Sequence, residues 1–127
     1  MEFIFKNLIV WQKAMELVKL VYGLARMLPV EERYALADQL RRAVASIPSN
    51  IAEGNGRASN RDYAHFLAIA RGSLFETMTQ LEIAEALGYC SVPQSITSLA
   101  SEIRRMLGAM LQKYGAYHCQ PQPSTST

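Results

Sequence analysis

The stretch from Gln39 to Arg57, QLRRAVASIPSNIAEGNGR, limits the possible folds more than any other part of the chain, because a proline sits where a helix ought to run. Pro48 has no N–H to give the carbonyl of Val44, and its ring crowds that carbonyl, so a helix must break or bend here. Yet Leu36, Leu40, Val44, Ile47 and Ile51 keep one helical phase across the proline. A fresh helix starting at Pro48 would have Ile47 as its N-cap, and isoleucine offers no capping oxygen. The spacing therefore predicts one helix, from near Tyr34 to Glu53, kinked at Pro48 and stopped at Gly54.

A polar stripe lies beside the apolar one: Gln39, Arg42, Ser46, Asn50 and Glu53, spaced by three or four residues. Side chains at that spacing can refill the hydrogen bonds a proline removes, or they can form a small-ligand site. Arg71 is a candidate partner for this stripe. It precedes Gly72-Ser73, where another helix backbone can approach closely, and it is placed to meet Glu53.

Three more helices follow from the same kind of evidence. Asn7 is a capping candidate for a first helix from about Leu8 to Met27, which Pro29 closes. Its apolar residues cover an arc of roughly 240°, well beyond the stripe needed to face one core. The surplus predicts either a subunit contact through Leu17, Leu20 and Leu24, or cover from Phe3, Phe5 or the C-terminal tail. Ser59 and Asp62 resemble a capping box and start a third helix. Its core stripe is Tyr63, Phe66, Leu67, Ala70, Leu74, Thr77, Leu81 and Ala84, and it ends at Gly88. Ile69 and Ile83 lie off that stripe, which predicts a second contact face or a solvated one. Ser91, with Pro93 behind it, opens the last helix, whose core side runs from Ile96 to Tyr114. The expected fold is all-α: an up-down-up-down antiparallel four-helix bundle over residues 1–114, then a disordered tail over 115–127.

The chemistry an enzyme needs is not written in the pattern. His65 and His118 sit on different elements without metal-ligand spacing, and Glu53, Glu76, Glu82 and Glu85 do not repeat a di-iron motif. Gly54-Asn55-Gly56 lacks the lysine of a phosphate loop. We expect no catalytic residue, metal or cofactor. Cys90 and Cys119 form no CxxC and read as free thiols in a reducing cytosol, with no signal peptide and no membrane span, hence a cytoplasmic protein.

Arginine is the residue type with functional promise, because its planar fork donates paired hydrogen bonds to phosphate oxygens. Arg41, Arg42, Arg57, Arg61, Arg104 and Arg105 are the candidates for nucleic acid. The plainer reading pairs them with Glu31, Glu53, Glu76, Glu82 and Glu102. Thirteen basic against eleven acidic residues leave a formal charge of +2, which permits a polyanionic partner without demanding one.

With VWQKAMELVKLVY before it and HFLAIARGSLFETMTQLEIAEALGY after it, the proline-bearing helix resembles the bacterial four-helix bundle proteins, some encoded in intervening sequences of large-subunit ribosomal RNA genes. The resemblance covers roughly Phe3 to Tyr114; Ala35 in place of glycine and the order Val44-Ala45 are small departures. The accessory protein of diversity-generating retroelements is a more distant relative. The resemblance implies a homo-oligomer, a five-membered ring first and a dimer second, with RNA, DNA or a nucleic-acid-processing protein as partner. The residues alone leave three classes open: an oligomeric nucleic-acid or nucleoprotein binder, a structural or protein-interaction bundle, and a small-ligand binder or enzyme using the polar stripe.

Overall fold

The computed structural model describes residues 3–115, which form four α-helices and two short 3-10 turns. The helices are α1 (Ile9–Ala25), α2 (Leu36–Asn55), α3 (Asn60–Ala86) and α4 (Gln94–Gly115). Helix α2 packs most extensively on α3, while α1 touches α2 and α4, and α4 also touches α3. The pairs α1/α3 and α2/α4 therefore lie across the two diagonals of an up-down-up-down bundle. Gly115, the first residue of the expected tail, is still helical and buried, and the rest of it, with His118 and Cys119, lies outside the described residues.

Helix α2 runs through Pro48 without ending, as the unbroken apolar phase requires, and Leu40, Val44, Ile47 and Ile51 are fully buried. Neighbouring side chains reinforce the turn around the proline. Ser49 Oγ donates to the carbonyl of Ala45 at 2.9 Å, and Asn50 Nδ2 to that of Ser46 at 2.8 Å. Neither reaches the carbonyl of Val44, the one the proline leaves without its usual donor.

Gly54 does not stop this helix. It is buried inside α2, and Gly56 follows as the C-cap in ordinary right-handed conformation. A Cβ built on Gly54 would lie 2.8 Å from Phe66 Cβ and 3.2 Å from the carbonyl oxygen of Tyr63. Glycine is needed because α3 passes too close for any side chain. The close approach expected at Gly72 is absent, since a Cβ there would meet nothing within 4 Å.

The other helix ends obey capping chemistry in part. Ser59 Oγ accepts from the Asp62 N–H at 3.1 Å and starts α3. Gly88, with φ of 77°, ends it: the Gly88 N–H donates to Glu85 O and the Tyr89 N–H to Ala84 O, the paired bonds of a Schellman motif. Asn7 does not cap α1. It closes the 3-10 turn Ile4–Asn7, and Leu8 occupies the cap position with no side-chain hydrogen bond.

Candidate functional site

The polar stripe on α2 divides into three parts. Arg42 turns outward to Asp38 at 3.0 Å, and Glu53 outward to Arg57 at 2.8 Å. Ser46 and Asn50 turn toward α3. Ser46 Oγ and Ser73 Oγ share a hydrogen bond at 2.8 Å, Asn50 Nδ2 donates to Ser46 Oγ at 2.9 Å, and Thr77 Oγ1 donates to Ser73 O at 2.8 Å. Nearer the start of α2, Gln80 Nε2 reaches Gln39 Oε1 and Glu76 Oε2 at 3.5 and 3.4 Å, while Gln80 Oε1 is buried without a partner. The Ser46–Ser73 and Gln80–Gln39 contacts tie α2 to α3, and the other bonds brace them from within one helix. Arg71 takes no part: Glu53 is engaged by Arg57, and Arg71 is exposed beside Arg104.

The candidate arginines do not share one patch. Arg41 lies near the start of α2 and Arg57 just past its end, about 24 Å apart at the rise of an α-helix. Arg42 and Arg57 hold carboxylates, and Arg57 also lies 4.8 Å from the centroid of the Phe66 ring. Arg105 donates to Ser101 Oγ at 3.2 Å, and Arg61 is exposed at the first turn of α3.

Arg41 and Arg104 keep different company. Arg41 lines a recess of about 430 Å³ at the α1–α2 corner with Arg26, Arg33 and Tyr34. Its Nη2 donates to the carbonyl of Arg33 at 3.3 Å, and Tyr34 is 87% exposed. No carboxylate lines this recess, and none of the three arginines forms an ion pair among the described residues. Glu32, the nearest acid by sequence to Arg33, is taken up by the Tyr89 hydroxyl at 3.0 Å and the Leu36 N–H at 3.3 Å. Arg104 lines a hollow of about 400 Å³ between α3 and α4 with Arg71, Phe75, Gly72 and Gly108.

Arg26, Arg33 and Tyr34 escape the sequence reading. The signal is present as arginines seven and eight residues apart with Tyr34 beside the second. It becomes a site only when the chain reverses between Ala25 and Leu36, which periodicity does not specify.

The expected contact residues also separate. Leu17 and Leu24 are 0% and 7% exposed and belong to the protomer's own core, so they are not on a surplus face. Leu20, Ile69 and Ile83 are exposed. Much of the wide arc of α1 is covered from within: Trp11, Val18 and Tyr22 pack against the core, and Phe5 meets Trp11 edge-on at 5.2 Å.

The titratable groups that depart from ordinary behaviour are not poised for catalysis. Burial raises the Tyr63 hydroxyl, opposed by the N–H of Asn55. The hydrogen bond to Glu32 raises Tyr89, and burial with Glu85 nearby raises the Cys90 thiol, away from a reactive thiolate. Among the described residues no three histidine, cysteine, aspartate or glutamate side chains are grouped to hold a metal, and no helix is long and apolar enough to cross a membrane.

Comparison with known families decides the relationship, since residues 6–109 match the model of the 23S rRNA-intervening sequence protein family. The chain belongs to that family. A crystal structure of a protein of unknown function from the S23 ribosomal protein family of Bacteroides thetaiotaomicron is similar, with a TM-score of 0.74 and 27% identity, over 82% of this chain and 96% of that one. No curated protein matches the chain. The all-α four-helix reading and the resemblance on which it partly rested both hold.

Proposed function

We propose that this family member is a non-catalytic, self-associating bundle that binds RNA through arginines left without carboxylate partners. The observation that carries the reading is the corner recess, where Arg26, Arg33 and Arg41 meet around one hollow with no acid in its lining. Like charges gathered without compensation repel one another, and a bound polyanion relieves that repulsion. Arg71 and Arg104 in the α3–α4 hollow offer a second contact on another face. The family's name, from intervening sequences of 23S rRNA, favours RNA over other polyanions.

Self-association supplies what one protomer lacks. A chain of charge +2 is a weak polyanion binder, whereas five copies would carry +10 (five times +2) and repeat each recess around an axis. The exposed apolar residues suit such a contact. Leu20 lies on α1 and Ile69 and Ile83 on α3, helices on opposite sides of the bundle. Two different faces fit a head-to-tail interface, and a closed ring of five is our first choice over a dimer.

The test is a titration of labelled RNA at low and moderate salt, beside light scattering of the same protein. We expect an oligomer whose RNA affinity falls steeply with salt and varies little with sequence. Arg33→Glu with Arg41→Glu should weaken binding while leaving assembly intact. An intact oligomer with no affinity for RNA at low salt would leave the protein-interaction reading in its place.

A further inference from the structure

The corner recess is more particular than a basic surface, and we infer that it is a receptor for a phosphate monoester with a stacked base, as presented by the 5′-phosphorylated end of a single-stranded RNA. The inference rests on the RNA reading above and narrows it to one kind of contact.

The three guanidinium groups come from three separate pieces of chain. Arg26 is the C-cap of α1, Arg33 follows the 3-10 turn Val30–Glu32, and Arg41 stands in the second turn of α2. All three residues line one hollow rather than a flat strip. An RNA strand running across a surface presents phosphodiesters, each with one negative charge and two free oxygens, and meets arginines spread along a line. A terminal monoester carries close to two negative charges and three free oxygens on one phosphorus. Three forks around a single hollow match the second geometry, because each oxygen can take its own charge-assisted hydrogen bond. Arg41 is held for this role by its bond to the Arg33 carbonyl, so ordering it on binding costs less.

Tyr34 supplies the rest. It lines the same recess, the residue is 87% exposed, and the Arg33 guanidinium sits 6.0 Å from the ring centroid. A tyrosine this exposed has no packing role in the protomer, and a free aromatic face beside a phosphate receptor suits stacking of the base that carries that phosphate. A base at a single-stranded end can turn freely onto that ring while its phosphate enters the recess, whereas a paired base is held by its duplex, so the site favours single-stranded ends. The volume of about 430 Å³ lies in the range of small-ligand pockets and accommodates one terminal nucleotide.

The experiment compares one short single-stranded RNA bearing either a 5′-phosphate or a 5′-hydroxyl, titrated against the full chain, with adenosine 5′-monophosphate and inorganic phosphate as competitors. The phosphorylated RNA should bind about tenfold tighter or more, the effect of an added hydrogen bond between charged groups. The mononucleotide should abolish that preference, and inorganic phosphate should do so only at higher concentration. Arg33→Gln and, separately, Arg26→Gln should erase the preference while residual RNA binding persists; both residues are exposed, so both variants should fold. Tyr34→Ala should weaken the phosphorylated RNA and the mononucleotide but not inorganic phosphate. Equal affinity for the two RNAs would overturn the inference and leave RNA binding standing. Mononucleotide binding without RNA binding would keep the monoester receptor and remove RNA as its source. Binding of neither would overturn both.

Discussion

The α2–α3 seam and the α1–α2 corner both gather polar side chains, and they treat them in opposite ways. In the seam nearly every group answers another: Ser46 meets Ser73, Asn50 meets Ser46, and Thr77 meets the backbone of Ser73. Among the described residues only Gln80 Oε1 is a buried side-chain atom without a partner. In the corner three arginines line a hollow, and no carboxylate among the described residues answers them. Matched polar groups hold a fold together, because leaving any of them buried and alone is costly. Unmatched charges contribute little to the fold and remain free for something else. Changes in the seam should therefore alter stability, and changes in the corner should alter binding.

The largest effect should come from closing the seam's tightest point. Gly54→Ala places a Cβ 2.8 Å from Phe66 Cβ and 3.2 Å from a backbone oxygen, so no flexible side-chain end can give way. Overpacking of this kind costs about 1–3 kcal/mol. It is offset by the ~1 kcal/mol that alanine gains over glycine in a helix. The net change should be a loss in denaturant unfolding, and greater for Gly54→Val. Gly72→Ala is the control within the same bundle: its Cβ meets nothing, so the propensity gain should appear alone and stabilise the protein. If both alanine variants were stabilised alike, α2 and α3 would be free to separate and the seam would not be tight.

A smaller loss should follow from Ser73→Ala, which removes the hydroxyl that Ser46 meets across the seam. A net hydrogen bond of this kind contributes about 1 kcal/mol. Combining it with Ser46→Ala isolates the pair, and the two losses should add to more than the double variant shows. Strict additivity would mean that the two hydroxyls do not stabilise each other.

These two glycines also mark how far the sequence could be read. Apolar periodicity specified all four helices, because a helix that buries one face must repeat its apolar residues at helical spacing. The same phase carried α2 through Pro48. A bend there is still our proposal, motivated by the donor that Val44 loses. Gly54 and Gly72 look alike in sequence, one before Asn55-Gly56 and one before Ser73, and neither has the role expected of it: the close approach is at Gly54, and Gly72 lies inside α3 facing open space. Glycine as a helix stop is local and legible; glycine as a close approach depends on a second helix. The site follows the same rule. Arg57 pairs with Glu53, one of the acids the sequence offered, whereas Arg42 pairs with Asp38, which stands four residues away but was not among the expected partners. The company of Arg41, drawn from α1 and a turn, was not legible. Leu17 and Leu24 were misplaced for a related reason: a wide apolar arc does not reveal which side meets the core.

At the corner the contrast reverses. Arg33→Gln should change stability by less than about 0.5 kcal/mol, as exposed substitutions generally do. It should still reduce the salt dependence of single-stranded RNA binding by about 0.7 in the logarithmic slope, the share of one phosphate. A marked loss of stability would make Arg33 a structural residue and erase the distinction between the two regions.

The smallest effect should appear only in alkali, at the end of the seam. Tyr63 is buried against Gly54 and Tyr114, and its hydroxyl accepts from Asn55 Nδ2 at 3.3 Å. Burial holds its pKa above the ordinary 10.0, so the folded protein favours the neutral phenol more than the unfolded chain does. Stability from this source is complete below pH 10 and is lost as the pH rises through the raised folded value. Tyr63→Phe should therefore flatten the fall of stability as the pH rises from 10.0 through the raised folded value. At neutral pH it should cost no more than the single long hydrogen bond. Tyr89 is raised as well, by its bond to Glu32, and Tyr89→Phe gives the matching measurement at the corner. Unfolding curves collected across the alkaline range for both variants should each show a shallower slope than the parent. A Tyr63→Phe slope identical to the parent's would mean that the phenol reaches solvent and that the seam is open at its end.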